Sequence, residues 1–117
     1  MSPPVDWPQR LLPSSLLHRA FRYGNEYAWN RRDAVSVVAT LVTNGIDVIG
    51  VDVWFKLGNK PLVPSPGIYH WERERSIATD VSALNNDARR FIESVAIDSS
   101  DYPSDAEGPY FSITVAP

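Results

Sequence analysis

An acid and an imidazole, Asp52 and His70, are the strongest candidates for acid-base chemistry in this sequence. They stand in the stretches 44–54, "NGIDVIGVDVW", and 67–73, "GIYHWER", which we predict to be neighbouring strands. Across a hairpin, a carboxylate and an imidazole form the smallest unit that can transfer a proton. A structural hydrogen bond is the competing interpretation, and we favour it because no nucleophile motif accompanies the pair.

The other residue types provide no recognisable catalytic or cofactor motif. The chain has no cysteine, which removes thiolate nucleophiles, thiolate metal sites and disulfides. Its second histidine, His18, has no acid near it in sequence, and the two histidines do not follow a metal-ligand spacing. The six glycines never form a phosphate-binding G-x-G-x-x-G loop. We therefore expect a protein that is not an enzyme and holds no metal or cofactor.

The strand that carries Asp52 separates into two faces under a two-residue period. One is the expected core face and carries Asp47, Ile49, Val51, Val53, Phe55 and Leu57. Asp52 lies on the other face with Trp54, beside Gly50, where we predict a bulge or a close approach to the backbone. An architectural role for Asp52 is slightly favoured over an interfacial one. In that role it accepts hydrogen bonds from amides of the N-terminal segment or of the proline-rich loop.

The clearest helix of the sequence is predicted at about residues 31–44. Its valines and leucine repeat at helical spacing. Asn30 is the expected N-cap, and Asp33 favours the positive end of the helix dipole in the first turn. Asn44 and Gly45 form the stop signal, because glycine adopts the left-handed conformation without steric cost.

Two further helices flank this one in the prediction. Ser14 or Ser15 is the expected N-cap of a short helix that Gly24 ends. A longer helix starts near Thr79 or Asp80 and runs to about residue 97. The Asn85-Asn86 pair is unfavourable in a helix interior, so a break or a late start is an alternative there.

The order of predicted elements indicates an α/β (α+β) fold. We expect a small mixed, largely antiparallel sheet of about four strands, covered by two main helices and a short N-terminal helix. Residues 1–13 contain four prolines and are predicted to be an extended N-terminal segment, and residues 14–117 form a single domain. The strands are expected at 26–29, 46–57, 67–73 and 110–115.

Aromatic and acidic residues suggest a protein-binding surface. Trp54, Tyr69 and Trp71 come from neighbouring predicted strands, and Asp52 and Glu72 are placed to flank them. Aromatic anchors with a charged rim are typical of protein interfaces. The alternative is that Trp54 and Trp71 cover the second face of the sheet beneath the N-terminal segment.

The loop at 98–109 is a second candidate for partner contacts. It contains four acids and no base, and these acids are Asp98, Asp101, Asp105 and Glu107. Such a loop can steer a basic partner by long-range attraction. The alternative is an ordinary hydrated loop.

The charge and hydropathy of the sequence argue against a nucleic-acid-binding protein and against a membrane protein. The net charge is −3, with nine basic and seven acidic residues in 1–79 but two basic and seven acidic residues in 80–117. Because a clustered basic surface is missing from this pattern, nucleic acid is not an expected partner. The sequence also lacks a signal peptide and an apolar stretch of about 20 residues, so we expect a soluble, cytoplasmic protein without membrane contact.

The combined pattern resembles the small immunity proteins of bacterial polymorphic toxin systems, and is most similar to the immunity protein 40 family. The resemblance covers about residues 16–115. Members have a helix ending in Asn-Gly-Ile, an apolar strand closing in Gly-Gly-Asp-Val-aromatic, a downstream Trp and a helix before the last strand. Val51 stands where the family often has its second glycine. The matching positions are Ala34, Asn44, Gly45, Ile46, Gly50, Asp52, Val53, Trp54 and Trp71.

The resemblance implies a binding protein that neutralises a cognate toxin by forming a stoichiometric complex. The implied toxin contacts are Asp52, Trp54, Trp71, Glu72, Asp98, Asp101, Asp105 and Glu107, and the implied structural positions are Asn44, Gly45, Gly50 and Asp52. A homodimer is left open as a further assembly. The alternative function is a small-ligand-binding domain or a weak hydrolase that uses Asp52 and His70.

Overall fold

The computed structural model describes residues 7–23, 26–57, 62–64, 69–72, 81–98, 101 and 106–115. These residues form four helices: α1 (Trp7–Leu11), α2 (Ser14–Arg19), α3 (Arg31–Thr43) and α4 (Val81–Ser94). They also form six strands: β1 (Phe21–Tyr23), β2 (Glu26–Asn30), β3 (Val48–Leu57), β4 (Leu62–Pro64), β5 (His70–Glu72) and β6 (Ala106–Val115). None of the helices in these ranges is long and apolar enough to cross a membrane.

The strands form one antiparallel sheet in the order β1-β2-β6-β3-β4. β5 pairs with residues 50–52 of β3, and β4 pairs with residues 54–56. The predicted α+β class and antiparallel sheet are confirmed, but the sheet has six strands rather than about four. The two unexpected strands, β1 and β4, each contain three residues, too few for a periodic signal to appear in the sequence.

The helices and the sheet enclose one apolar core. Trp29 of β2 and Phe111 of β6 are fully buried on the sheet side, and Leu41 of α3 and Ile92 of α4 are fully buried on the helix side. Leu16 of α2 joins the same core, where its carbonyl oxygen accepts a hydrogen bond of 2.9 Å from Trp29 Nε1. The helices therefore pack on one face of the sheet.

A bulge in β3 changes which residues reach this core. The pairing with β6 shifts between Val48 and Gly50, which places one extra residue on β3. Val48 is fully buried, whereas Ile49 is only half-buried. The two-residue period predicted Ile49 on the core face. It is correct for Val51, Val53 and Phe55, which are buried, but wrong for Ile49 at the bulge.

The extended conformation predicted for 1–13 is wrong at Trp7–Leu11, which form α1. Pro8 is the second residue of this helix, where proline is tolerated because the first-turn N–H groups have no partner within the helix. The Trp7 ring lies 6.4 Å from the Trp29 ring, and Leu12 is buried. The segment therefore packs on the core.

The ends of α2 also differ from the prediction. Pro13 rather than a serine occupies the N-cap position, and Ala20 rather than Gly24 ends the helix, because the chain turns directly into β1. The limits predicted for α3 are confirmed. The Asn30 side chain accepts a hydrogen bond of 2.8 Å from the Asp33 amide, and Gly45 adopts a φ of +67° after the last turn.

α4 is continuous through the asparagine pair, so the alternative of a break at Asn85-Asn86 is not realised. Asn85 is fully buried and faces the start of β3. Its Oδ1 accepts a hydrogen bond of 2.9 Å from the Val48 amide, and its Nδ2 donates one of 2.8 Å to the Ile46 carbonyl oxygen. These two bonds attach the helix to the sheet beside the bulge.

Candidate functional site

The face of the sheet opposite the helices is the candidate site, and we call it the open face. Directly paired residues of antiparallel strands share a face. Asp52 pairs with His70 of β5 on one side and with Ser112 of β6 on the other. Ser112 in turn pairs with Ala28 of β2, and Ala28 with Phe21 of β1. The open face comprises Phe21, Glu26, Ala28, Gly50, Asp52, Trp54, Lys56, His70, Glu72, Glu107, Tyr110, Ser112 and Thr114.

Asp52 and His70 lie together on this face, as the hairpin prediction proposed. Their Oδ1 and Nδ1 atoms are 3.6 Å apart, longer than the roughly 2.7–3.2 Å of a good hydrogen bond. The two side chains are 55% and 48% exposed, so the pair is screened by solvent. Among the described hydrogen bonds, no backbone amide donates to Asp52. More than half of the Asp52 side chain is exposed, so an outside group can reach its carboxylate.

Aromatic side chains cover the centre of the open face. Trp54 Nε1 donates a hydrogen bond of 2.8 Å to Ser112 Oγ, and Trp54 pairs with Tyr110 across β3 and β6. The Tyr110 ring lies 4.6 Å from the Phe21 ring. The small residues beneath, Ala28 and Ser112, are buried, whereas the three aromatic side chains are half-buried. Trp54 thus covers the small residues of its own face, as the alternative interpretation held, but the described part of the N-terminal segment packs on the opposite face and part of Trp54 stays exposed to solvent.

The sheet curls around this face. β1 and β4 are at opposite ends of the strand order, yet they approach each other in space. Lys56 of β3 places its Nζ 4.9 Å from the centroid of the Phe21 ring, the distance of a cation–π contact. The twist between adjacent strands accumulates across a sheet and contributes to such curling. The open face is therefore concave.

Negative charge predominates on the open face. The described residues of this face include four carboxylates, Glu26, Asp52, Glu72 and Glu107, and one ammonium group, that of Lys56. Lys56 pairs with Glu107 at one end, whereas the other three acids lie toward the opposite end. Partial burial, with a contribution from the charge of Asp52, raises the pKa of Glu26 above its ordinary value of 4.5. Burial and the charge of Glu107 likewise raise the pKa of Tyr110.

The raised pKa of Glu26 predicts a pH-dependent loss of stability. The folded state holds the proton more tightly than the unfolded state, so the free energy of unfolding decreases as the pH rises from 4.5 through the folded-state pKa. Glu26→Gln should therefore be more stable than the wild type at pH 7, and the difference should vanish near pH 3.5. Urea unfolding at both pH values measures this. Glu93→Gln on α4 is the control, and an equal gain in that variant would contradict the prediction.

The predicted aromatic cluster is divided between the two faces of the sheet. Trp71 pairs with Val51 across β3 and β5, so it lies on the helix side, where it and Tyr69 pack against the core. Trp54 lies on the open face. The two tryptophans are neighbours in the strand order but cannot contact the same partner surface, because successive residues of a strand point to opposite faces.

The acidic segment is placed at the edge of the sheet near β5. The Tyr69 hydroxyl donates a hydrogen bond to Asp101 Oδ2 and accepts one of 3.0 Å from the Asp98 amide. The bond to Asp101 raises the pKa of Tyr69. Asp105 lies outside the described residues, and Glu107 belongs to the open face. The three described acids therefore do not form one cluster.

The four predicted structural positions lie in β3 or just before it, and Asp52 is described above. Asn44 follows α3, where its side chain donates a hydrogen bond of 2.9 Å to the Thr40 carbonyl oxygen, and Gly45 makes the turn described above. Gly50 lies in β3 at the bulge, and it pairs with β5 on one side and with β6 on the other. A Cβ atom at Gly50 would meet Thr114 Cβ and the Trp71 carbonyl oxygen at 3.7 Å, which is ordinary contact. The fold therefore has room for a side chain at this position.

Several residues of the site were not identified from the sequence, and the four that the site depends on most are Phe21, Glu26, Tyr110 and Ser112. Alternating side-chain direction along "EYAWN" and "YFSITV" indicates three of them, Glu26, Tyr110 and Ser112. The residues that alternate with them point into the core on the opposite face of the sheet, and these are Tyr27, Trp29, Phe111 and Ile113. Phe21 gave no such signal, since its strand is only three residues long.

Comparison with known proteins adds no assignment: no family model, no curated protein and no solved structure matches this chain. Within the described ranges, no group of three or more histidine and acidic side chains is arranged to hold a metal ion. The geometry of the open face is therefore the basis for a functional proposal.

Proposed function

We propose that this chain is an immunity protein that binds a cognate bacterial toxin in a stoichiometric complex and neutralises it in the cytoplasm of the producing cell. The supporting observation is the concave open face, whose half-buried aromatic side chains are surrounded by carboxylates. The sequence pattern from Asn44 to Trp54, which resembles the immunity protein 40 family, supports the same proposal. The protein acts by occupying a toxin surface and carries out no reaction of its own.

A binding surface needs a few aromatic anchors that lose water on association, surrounded by polar groups that exclude the wrong partners. Trp54 and Tyr110 have exposed surface to bury, and their positions are already fixed by Ser112 and Phe21. A surface held in place before binding loses little conformational entropy when the complex forms.

The experiment is a binding measurement with the toxin domain encoded beside this gene. Calorimetry and size-exclusion chromatography with light scattering should give a stoichiometric complex, and coexpression should restore growth of cells that produce the toxin. Trp54→Ala should weaken binding at least thirtyfold if Trp54 is an anchor residue, as expected when about 2 kcal/mol is lost. Absence of a complex with the wild-type chain would refute the proposal.

A hydrolase that uses Asp52 and His70 is the second candidate, because the two side chains are 3.6 Å apart. Such a hydrolase also needs a nucleophile that the imidazole of His70 can activate. The nearest hydroxyl in the pairing is Ser112, which is buried and accepts the Trp54 Nε1 hydrogen bond. The hydrolase hypothesis predicts turnover of activated esters that disappears in His70→Ala. The binding hypothesis predicts no turnover in either protein.

A further inference from the structure

We propose that the open face is the toxin-docking surface and that its occupant is a basic segment that places an arginine side chain over Gly50, between Asp52, Glu72 and Glu26. This inference rests on the proposed function and specifies its partner.

The charge on the open face is complementary to a basic segment. At one end of the face, Lys56 stands opposite Glu107 in the pairing of β3 with β6. The carboxylates of Asp52, Glu26 and Glu72 lie toward the other end. Asp52 contributes to the raised pKa of Glu26, so the two carboxylates are close enough to repel each other. A cation placed between them removes this repulsion on binding.

The shape around Gly50 leaves room for a side chain from outside. Gly50 pairs with Glu72 on one side and with Thr114 on the other. Neither sterics nor backbone conformation requires glycine there, because a Cβ would make only ordinary contacts and φ is not positive. The missing side chain therefore leaves a depression in the sheet surface, and glycine in a strand often marks such a close approach.

Arginine suits this depression better than lysine. Its planar guanidinium can donate to two carboxylates at once and can stack on an aromatic ring. Asp52 and Glu72 supply the acceptors, and Trp54 follows Asp52 on the same face of β3. Lys56 over the Phe21 ring shows that this face already places a cation against an aromatic ring within the chain.

The other described surfaces lack this complementarity. On α4, Arg89 lies 3.2 Å from Glu93 and Arg90 lies 3.8 Å from Asp87, so charges of both signs alternate. At the edge near β5, Asp101 is already bonded to the Tyr69 hydroxyl. The open face is thus the described surface with a concentrated and available negative charge.

The test uses two matched pairs of charge-neutralising substitutions and the adjacent toxin domain as the probe. Asp52→Asn with Glu72→Gln on the open face should weaken binding at least tenfold in low salt, and less in 0.5 M NaCl. Asp87→Asn with Glu93→Gln on α4 removes the same charge and should change Kd less than twofold. Equal weakening by the two double variants, or weakening by the α4 variant alone, would overturn the proposal while leaving the immunity function standing.

Gly50→Ala separates docking from folding. The variant should unfold at a temperature close to the wild-type value, because the added Cβ fits, yet it should bind the toxin domain at least fivefold more weakly, because it fills the depression. Unchanged affinity would contradict the insertion over Gly50.

A third measurement does not depend on the toxin. The peptide acetyl-Gly-Arg-Arg-Gly-amide should shift the amide NMR signals of residues 50–52 and 112–114, and the matching glutamate peptide should not. Shifts confined to α4, or none at millimolar peptide, would overturn the docking surface even if the toxin binds. If the peptide shifts appear and the toxin does not bind, the immunity function fails and the basic-segment site stands.

The oligomeric state of the free chain is a separate test. A dimer that Trp54→Ala dissociates would identify a second copy as the occupant and refute the proposal.

Discussion

Replacing Asn85 with alanine should lower the free energy of unfolding by up to roughly 6 kcal/mol, because two backbone groups, one buried and one part-buried, lose their partners, at about 1–3 kcal/mol for a group that is fully buried. These groups are the Val48 amide and the Ile46 carbonyl oxygen. Both precede the bulge that sets the pairing of β3. Urea unfolding monitored by tryptophan fluorescence measures the loss.

The neighbouring Asn86 provides a matched control. It lies in the same helix but is exposed, so Asn86→Ala should leave stability unchanged or raise it slightly through better helix propensity. Asn85→Asp keeps the acceptor for the Val48 amide but loses the donor to Ile46, and it buries a carboxylate. It should therefore also destabilise the fold. Equal stability of the Asn85 and Asn86 variants would show that the two hydrogen bonds contribute nothing.

Trp29→Ala should be the second strongly destabilising change, with a loss of about 3–5 kcal/mol from packing alone. Trp29 is fully buried beside Tyr27 and Trp7, with ring centroids 6.1 and 6.4 Å away. Its Nε1 also supplies the hydrogen bond to the Leu16 carbonyl oxygen. Thermal and urea unfolding should therefore show the N-terminal helices loosened along with the core.

Trp29→Phe separates the two contributions. It retains much of the ring packing but leaves the Leu16 carbonyl oxygen without its donor, at a cost of about 1–3 kcal/mol for that group in addition to the smaller loss of volume. The variant should therefore lie between the wild type and Trp29→Ala. A phenylalanine variant as unstable as the alanine variant would indicate that the hydrogen bond, rather than the packing, holds α2 on the sheet.

Much of the local structure follows from the sequence. Asn30, Asp33 and Gly45 determine the ends of α3, because capping and left-handed turns involve groups within about four residues of each other. The alternation from 50 to 57 likewise placed Asp52 and Trp54 away from the core, since side-chain direction in a strand depends only on parity along the chain.

The composition of the site was decided by the tertiary structure. The register between strands that are far apart in sequence determines which side chains share a face. This register brings Asp52 beside His70 on the open face and places Trp71 on the helix side of the sheet. Tertiary contacts also determined that Asn85 is a buried anchor rather than a helix breaker, because its two partners lie 37 and 39 residues away.

The sequence by itself thus determined the class of fold, the ends of α3 and the outward direction of Asp52. Each of these depends on groups that are close along the chain. Only the tertiary structure decided the bulge at Gly50, the curl that brings Phe21 onto Tyr110, and the acidic, concave character of the open face. These features depend on packing between distant segments, whose relative positions are set by the whole core and by no short stretch of residues.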